Sequence, residues 1–261
     1  MARDDHSAVD RVADILEFVA TQKGGATFSE IVRSLAIPKS SLHPLIHTLC
    51  KRRFVLYREN EQRYFLGDRI FSLGFQYGSA TGLLGMISDA LAELARSVEE
   101  TCYFGVLAGN EVLYLLKQVA SNPIQVTARP GYRLKAYASA IGKSLLSQFD
   151  RDELLRLYPD GLEPVTENTV TDMEELCRQL SKGREEGFLY EKEESSEHVQ
   201  CVAAPVFYQQ KVTAALSVAF PIFTEAVIPE KIQFNKEKLT LVRQKIEDII
   251  ARNRGEWVYG D

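Results

Sequence analysis

The chain has 261 residues, a net charge of −5 and 45% hydrophobic residues, the composition of a globular protein with one or two domains. The negative charge excludes a protein that coats nucleic acid along its whole surface. No apolar run approaches the ~20 residues of a membrane span, and the polar N-terminus lacks the apolar region of a signal peptide, so we expect a cytoplasmic protein without membrane contact.

The first 50 residues predict three short helices. Apolar residues at helical spacing indicate a first helix over residues 8–19, and the pair Gly24-Gly25 ends it. A second helix begins after Thr27 or Ser29, either of which is a suitable N-cap. The third helix carries an apolar stripe at i, i+3, i+4, i+7 spacing, formed by Leu42, Leu45, Ile46 and Leu49.

Two strand-like runs follow, at residues 54–57 and 63–66, with a polar turn over 58–62 between them. Three short helices followed by a hairpin are typical of a winged helix-turn-helix domain. In that arrangement the third helix and the tip of the hairpin are available for DNA.

Polar side chains of the third helix lie off its apolar stripe, and basic residues flank them. We predict that base edges in the major groove are contacted by Ser40, Ser41, His43 and His47. We predict that phosphates are contacted by Lys39, Arg52, Arg58 and Arg63. A local basic patch on an acidic chain fits site-specific DNA binding. A solvated amphipathic helix is the alternative interpretation of this stretch alone.

Pro44 falls about one turn into the third helix. A proline there removes an N–H group and crowds the carbonyl of Ser40, so we expect a helix that starts later or is kinked.

Glycines punctuate an apolar stretch at residues 67–82, which predicts a short linking helix. We therefore divide the chain into a winged helix-turn-helix domain at 1–67, a linking helix at 68–82 and a second domain at 83–261. The first helix and the linking helix carry more apolar surface than a small domain can cover, which predicts a homodimer through the N-terminal half.

The second half alternates between helical and strand patterns. We expect strands at 102–107, 112–116, 188–191, 201–208 and 212–220, and helices at 83–98, 138–149, 152–158, 171–186 and around 239–250. The spacing of Thr171 and Glu174 indicates a capping box at the start of one helix. Hairpin-joined strands flanked by helices predict an α+β domain with a largely antiparallel sheet.

Catalytic and metal chemistry find little support. His198 lies three residues before Cys201, and on a strand this spacing points the two side chains to opposite faces. A metal site built on these two residues and Glu191 has no recognisable ligand spacing. The four cysteines show no C-x-x-C pair, and no nucleotide-binding or hydrolase motif occurs. We predict no catalytic residue, no metal and no cofactor.

Seven sequence blocks, in chain order, resemble the IclR family of bacterial transcription regulators. They lie at residues 38–43, 64–74, 137–146, 169–172, 184–188, 201–207 and 214–218. The third block, Tyr137-Ala138-Ser139-Ala140-Ile141-Gly142-Lys143-Ser144-Leu145-Leu146, is similar to the family's small-residue segment ending in Gly-Lys-Ala-Leu-Leu. The resemblance extends from about residue 8 to about residue 250.

The resemblance implies a winged helix-turn-helix domain joined by a helix to a GAF-like effector-binding domain. It also implies dimers or dimers of dimers that bind palindromic operators in double-stranded DNA and respond to small organic acids. The implied effector site consists of the backbone at Ala140, Ile141 and Gly142 with the side chains of Glu191, Cys201, Ser217 and the residue at Ala219. A helix entry at 139–143 offers free N–H groups that suit a carboxylate.

Three positions depart from the family pattern. The family often has aspartate at Glu191, serine at Ala219 and a basic residue at Pro44. One methylene more and one hydroxyl less imply a different preferred ligand. Because two carboxylates repel each other, Glu191 must accept a bond from an effector hydroxyl, be protonated or point away.

Two other functions stay open at this point. The second domain could be a GAF-like sensor that acts through a protein partner without touching DNA, or a cysteine-dependent enzyme. Cys201 and Ser217 could also be small strand residues of an ordinary core.

Overall fold

The computed structural model describes residues 8–79, 82–119, 129–222 and 228–253. The chain divides into two compact units, Met1–Ala80 and Thr81–Asp261. None of the described helices combines the length and the apolar content that a bilayer crossing requires.

The first unit contains the predicted helices and hairpin. Its elements are α1 (Ala8–Thr21), α2 (Phe28–Leu35), α3 (Lys39–Lys51), β1 (Val55–Arg58), β2 (Arg63–Leu66) and α4 (Asp68–Ser79). Thr27 is the N-cap of α2, because its hydroxyl accepts from the N–H of Glu30 while the Glu30 carboxylate accepts from the N–H of Thr27. The core joins α1, α2, α3 and β1 through Ile15, Ile31, Leu42, Ile46 and Val55.

Helix α3 contains Pro44 in its interior. It begins at Lys39, directly after Pro38, so the prediction of a later start is wrong. Pro38 fixes a suitable backbone angle, and its carbonyl accepts from the N–H groups of Ser41 and Leu42 at 2.9 Å each. After the proline, the Thr48 hydroxyl donates to the Pro44 carbonyl at 2.8 Å, which adds a side-chain bond to the helical turn.

The hairpin is a regular antiparallel pair that runs from Val55 opposite Leu66 to Arg58 opposite Arg63. Ala26, in the loop before α2, pairs with Tyr64 through two backbone bonds of 2.9 and 2.7 Å. The wing is thereby attached to the helical part of the unit.

The second unit contains a six-stranded antiparallel sheet in the order β5-β4-β3-β8-β7-β6. Its elements are α5 (Leu83–Val98), β3 (Thr101–Ala108), β4 (Glu111–Gln118), β5 (Arg133–Lys135), a 3-10 turn (Ala136–Ala138), α6 (Ala140–Leu146), α7 (Arg151–Leu157), α8 (Met173–Glu186), β6 (Leu189–Lys192), β7 (Val199–Tyr208), β8 (Lys211–Pro221) and α9 (Ile228–Arg252).

Side chains alternate between two apolar cores, one on each face of this sheet. Phe104, Val202 and Leu216 point toward α5 and α9. Their strand neighbours Tyr103 and Ala203 point to the opposite face, where α6, α7 and α8 pack. An antiparallel sheet covered by helices on both faces confirms the predicted α+β class.

Several details of the second unit differ from the sequence prediction. The helix predicted at 138–149 spans only Ala140–Leu146, and the helix predicted around 239–250 begins at Ile228. Asp172, not Thr171, is the N-cap of α8, because its carboxylate accepts from the N–H of Glu175 at 2.7 Å. The prediction also missed β5, whose three residues pair with Glu111–Leu113 of β4. A strand this short has no alternating pattern long enough to detect.

Candidate functional site

The exposed face of α3 carries polar side chains along one row. Ser40, His43 and His47 are exposed, Ser41 is half-buried, and Lys51 continues the row toward the end of the helix. The opposite face is buried in the core of the unit. The His43 ring meets Phe28 of α2 edge-on, with ring centroids 6.4 Å apart, and this contact restricts its orientation. Hydroxyl and imidazole groups are thus accessible on a helix anchored from behind.

The four cations predicted to contact phosphate differ in their surroundings. Lys39 and Arg52 are exposed. Arg58 forms an ion pair with Glu61 at 3.0 Å and stacks over the Phe65 ring at 4.2 Å. These contacts hold Arg58 along the wing, and its DNA contact stays a prediction.

Arg63 has partners inside the first unit that the sequence did not indicate. Its Nη1 donates to the carbonyl of Gly25 at 2.7 Å and lies 3.4 Å from the Glu30 carboxylate. Arg63 therefore fastens β2 to the loop before α2. Its proposed phosphate contact is untested, and its substitution would also loosen the wing.

A cavity of about 120 Å³ lies where the sheet meets the start of α6. It is lined by Tyr103, Tyr114, Tyr132, Leu134, Ser139, Ala140, Ile141, Ser195, Ser196, Cys201, Ser217 and Ala219. We call it the tyrosine cavity. Strand register assembles its floor, since Tyr103 lies opposite Ser217 and Cys201 lies opposite Ala219.

Five of the predicted effector residues line the tyrosine cavity, namely Ala140, Ile141, Cys201, Ser217 and Ala219. Gly142 does not line the cavity. Its N–H donates to the hydroxyl of the N-cap Ser139 at 3.2 Å, so this group already has an acceptor. A Cβ at Gly142 would lie 2.1 Å from the carbonyl oxygen of Ala136. Glycine at this position lets α6 pack against the preceding turn, which shapes the cavity from behind.

Glu191 does not line the tyrosine cavity either. Its buried carboxylate accepts from the N–H of Glu194 at 2.9 Å, from the hydroxyl of Ser195 at 3.0 Å and from the thiol of Cys201. Burial raises the pKa of Glu191, and these hydrogen bonds oppose the shift. The carboxylate is directed at the turn after β6 and holds that turn in place.

A buried ion pair fixes the same turn. Lys143 of α6 is fully buried, and its Nζ lies 2.5 and 2.7 Å from the two carboxylate oxygens of Glu194. Gln179 accepts a third bond from Nζ at 2.7 Å, and the Thr169 hydroxyl donates to the Glu194 carbonyl at 2.7 Å. These bonds and those of Glu191 place Ser195 against the tyrosine cavity.

Three tyrosines of the cavity were missed by sequence reasoning. The rings of Tyr103 and Tyr114 meet edge-to-face with centroids 5.1 Å apart, and Tyr132 is 53% exposed. Burial raises the pKa of Tyr103 and Tyr114, so both hydroxyls stay protonated at neutral pH. Tyr114 is also hydrogen-bonded to Ser139. Their positions on adjacent strands were visible in the sequence, but the face of the sheet was not.

A larger hollow of about 310 Å³ lies along α8 and β6, and it has a different character. Three of its four lining cations are engaged by carboxylates: Lys143 by Glu194, Arg178 by Glu175 and Lys182 by Glu186. The tyrosine cavity instead presents neutral hydroxyls, a thiol and aromatic rings. The tyrosine cavity is therefore the better candidate for a specific small-molecule site.

The chemistry needed for a cysteine-dependent enzyme has weak support. Burial raises the pKa of Cys201 well above its usual value, and the Glu191 carboxylate adds to the shift. A protonated thiol is a poor nucleophile. His198 is exposed and lies 3.5 Å from Glu193. Across the described ranges, no group of three or more His, Cys, Asp or Glu side chains is placed to hold a metal ion.

A helix-turn-helix unit and a unit with a cavity of small-molecule size, in one chain, are typical of a ligand-responsive transcription regulator. Residues 8–59 match the IclR helix-turn-helix domain, and residues 75–247 match the family described as bacterial transcriptional regulator IclR C-terminal. The chain therefore belongs to the IclR family of transcriptional regulators, which confirms the resemblance found in the sequence.

The similarity to known proteins extends over most of the chain. The chain is 31% identical over 216 residues to the HTH-type transcriptional regulator BhcR of Paracoccus denitrificans, and the alignment covers 82% of this chain and 77% of the relative. The crystal structure of an IclR transcriptional regulator from Alicyclobacillus acidocaldarius matches with a TM-score of 0.82 and 25% identity, covering 93% of this chain and 98% of that one.

One similar structure contains a ligand. An IclR homolog from Microbacterium hydrocarbonoxydans, complexed with 4-hydroxybenzoate, matches with a TM-score of 0.80 and 24% identity. The match covers 93% of this chain and all of that chain, and at this identity it shows a shared fold.

Proposed function

We propose that this regulator binds a palindromic operator as a homodimer or a dimer of dimers, and that a small aromatic organic acid in the tyrosine cavity changes its affinity for that operator. The observation that carries the proposal is the cavity itself. It brings five predicted effector residues together with tyrosine rings and uncharged hydroxyl groups. We infer from the proposed operator binding that the protein acts in the cytoplasm.

Operator reading is supported by the exposed row of α3. Ser40, His43 and His47 offer donors and acceptors that match base edges in the major groove. Lys39 and Arg52 stand at the two ends of the helix, where they would reach phosphates. A regulator that acted only through a protein partner would not retard operator DNA in a mobility-shift experiment, which separates the two functions.

Dimerisation through the first unit is supported by apolar side chains left in water. Val9 of α1 is 75% exposed and Leu73 of α4 is 41% exposed. A symmetric partner would cover such side chains. Light scattering at micromolar concentration should give at least twice the mass of one chain. A monomer that still binds its operator would contradict the dimer.

The effector class follows from what the tyrosine cavity can bind. Ala140 and Ile141 are the first residues of α6, and their N–H groups have no hydrogen-bond acceptor among the described residues. Both groups can therefore donate to a carboxylate oxygen. The Ser217 hydroxyl can add a directional bond. The rings of Tyr103 and Tyr114 suit an aromatic face. The 4-hydroxybenzoate held by the homolog from Microbacterium hydrocarbonoxydans supports this class.

Calorimetric titration tests the effector class. We expect 4-hydroxybenzoate to bind more tightly than cyclohexanecarboxylate, which has the same charge but no aromatic ring, and more tightly than uncharged 4-hydroxybenzamide. Ser217→Ala should weaken binding by about 1 kcal/mol, or roughly fivefold, through the loss of one hydrogen bond. Ala219→Ser should favour smaller and more hydroxylated acids.

The matched control is Ser97→Ala on α5, where the hydroxyl bonds the Leu94 carbonyl away from the cavity. This variant should titrate like the parent, and Ser217→Ala without ligand should keep the parent's operator affinity. If Ser217→Ala and Ala219→Ser respond to every acid as the parent does, these residues are core packing and the effector site lies elsewhere.

A further inference from the structure

We propose that a cleft between the end of α3 and the start of α4 binds a backbone phosphate of the operator through Arg52, Arg53 and Arg69. This arginine cleft has a volume of about 330 Å³ and is lined by Arg52, Arg53, Phe54, Asp68, Arg69 and Ser72. The inference rests on the proposed operator binding and adds a DNA contact from α4, outside the helix-turn-helix and the wing.

The arginine cleft has an excess of positive charge. Arg53 and Asp68 form a bidentate pair, with Nε to Oδ1 at 2.9 Å and Nη2 to Oδ2 at 2.7 Å. Arg52 and Arg69 are exposed, and neither forms an ion pair with any residue that the structure describes. Three guanidinium groups and one carboxylate leave two positive charges, which suits a phosphate of one negative charge.

The backbone around the arginine cleft is fixed without a ligand. Arg53 has a φ of +63°, in the left-handed region that non-glycine residues rarely adopt. Its carbonyl accepts from the N–H of Arg69 at 3.1 Å, and the N–H of Gly67 donates to the Phe54 carbonyl at 2.8 Å. A Cβ at Gly67 would lie 2.1 Å from the Arg53 oxygen, so glycine is needed for this contact.

The left-handed residue is part of the way α3 ends, since the N–H of Arg53 donates to the Cys50 carbonyl at 3.0 Å and the N–H of Phe54 donates to the Leu49 carbonyl at 2.9 Å. Other backbone bonds join the segment after α3 to the first turn of α4. The backbone that carries the three arginines is therefore fixed before DNA arrives, and Asp68 also holds the Arg53 guanidinium, which lowers the ordering cost of binding a phosphate.

The arginine cleft also lies where a phosphate is expected. The exposed row of Ser40, His43 and His47 runs along α3 and ends beside Arg52. A helix of 13 residues is about 20 Å long, whereas the major groove is about 12 Å wide. When the start of α3 reads bases, its far end therefore reaches the phosphates that border the groove. A guanidinium plane can donate two parallel bonds to such a phosphate.

Salt dependence of DNA binding by the full chain tests the arginine cleft. The probes are fluorescently labelled duplexes, one selected by the parent from a random library and one of random sequence, titrated between 50 and 200 mM KCl. Arg52→Ala and Arg69→Ala should each reduce the slope of log K against log[salt] by about 0.9, equally on both duplexes. Arg69→Lys should retain the parent's slope because it retains the charge.

Arg156→Ala is the matched control, since Arg156 is exposed on α7 in the other unit and its loss changes the net charge equally. Arg69→Gln, which removes the charge and keeps much of the side chain, is the second variant in case Arg69→Ala does not fold. The inference is overturned if Arg52→Ala and a folded Arg69 variant give the slope of Arg156→Ala, or if they weaken only the selected duplex. If the proposed operator binding itself is wrong, the result differs, because the parent then binds the selected and the random duplex equally well.

Discussion

The exposed row of α3 and the tyrosine cavity differ in how their side chains are held. The first presents Ser40, His43 and His47 from one exposed helix, with cations in water around it. The second takes its lining from five strands, the start of α6 and the turn after β6, and the buried Glu191 carboxylate bonds two of its lining residues, Ser195 and Cys201. The proposed DNA site can therefore change its charges at little cost in stability, whereas the cavity depends on contacts that also hold its domain together.

The ion pairs of the second unit give the largest expected effect. Lys143→Met leaves the Glu194 carboxylate buried and unpaired, so we expect the free energy of unfolding to fall by about 3–5 kcal/mol. Urea denaturation followed by circular dichroism measures this change. Lys245→Met, which breaks the exposed pair with Glu93, should cost only about 0–1 kcal/mol.

A double variant sharpens this contrast. Lys143→Met combined with Glu194→Leu removes both charges and should recover most of the stability lost in the single variant. Equal losses in Lys143→Met and Lys245→Met would show that burial does not separate the two kinds of charge in this protein.

Substitution of Pro44, which is exposed on α3, gives the next largest expected change in stability. Pro44→Ala supplies the missing N–H and removes the ring from the interior of α3, so we expect the first unit to gain about 1–3 kcal/mol. Pro44→Arg should gain similarly and should also bind random DNA more tightly, with a salt slope steeper by about 0.9.

The alanine variant is the control for charge, because it repairs the helix without adding a cation. Unfolding of the first unit is followed by urea titration, and DNA binding by fluorescence anisotropy. If Pro44→Arg and Pro44→Ala bind random duplex with the same salt slope, residue 44 does not approach the phosphate backbone.

The smallest effect is a pH dependence from Glu191. Burial raises its pKa above the usual value of about 4.5, so the folded state binds this proton more tightly than the unfolded state. The resulting stability is fully present below pH 4.5 and is lost as the pH rises through the folded pKa. Glu191→Gln should therefore show a smaller loss of stability than the parent as the pH rises above about 4.5.

Glu93 supplies a comparison of opposite sign. Its hydrogen bond with Lys245 lowers its pKa, so its contribution is present above pH 4.5 and is lost as the pH falls. Urea midpoints should be measured from about pH 2 to about pH 7. Compared with the parent, Glu191→Gln should lose less stability as the pH rises above 4.5, and Glu93→Gln should lose less stability as the pH falls below 4.5. Parallel curves for the parent and Glu191→Gln would contradict a raised pKa.

The sequence by itself determined the local structure of this protein and the class to which it belongs. The apolar stripe of α3, the Thr27 cap of α2 and the hairpin turn depend on residues a few positions apart, so their spacing could be read directly. The exposed row of α3 followed from the same periodicity. Family blocks indicated five residues that the structure brings to one cavity.

Only the tertiary structure decided which partners these residues have. Arg63 binds a carbonyl 38 positions away, and Lys143 binds a carboxylate 51 positions away. No local pattern encodes such contacts. The face on which Tyr103 and Tyr114 meet depends on strand register, and a shift of one residue would turn them to the other core. The direction of Glu191 likewise depends on the folded turn, because burial forces its carboxylate toward the nearest hydrogen-bond donors.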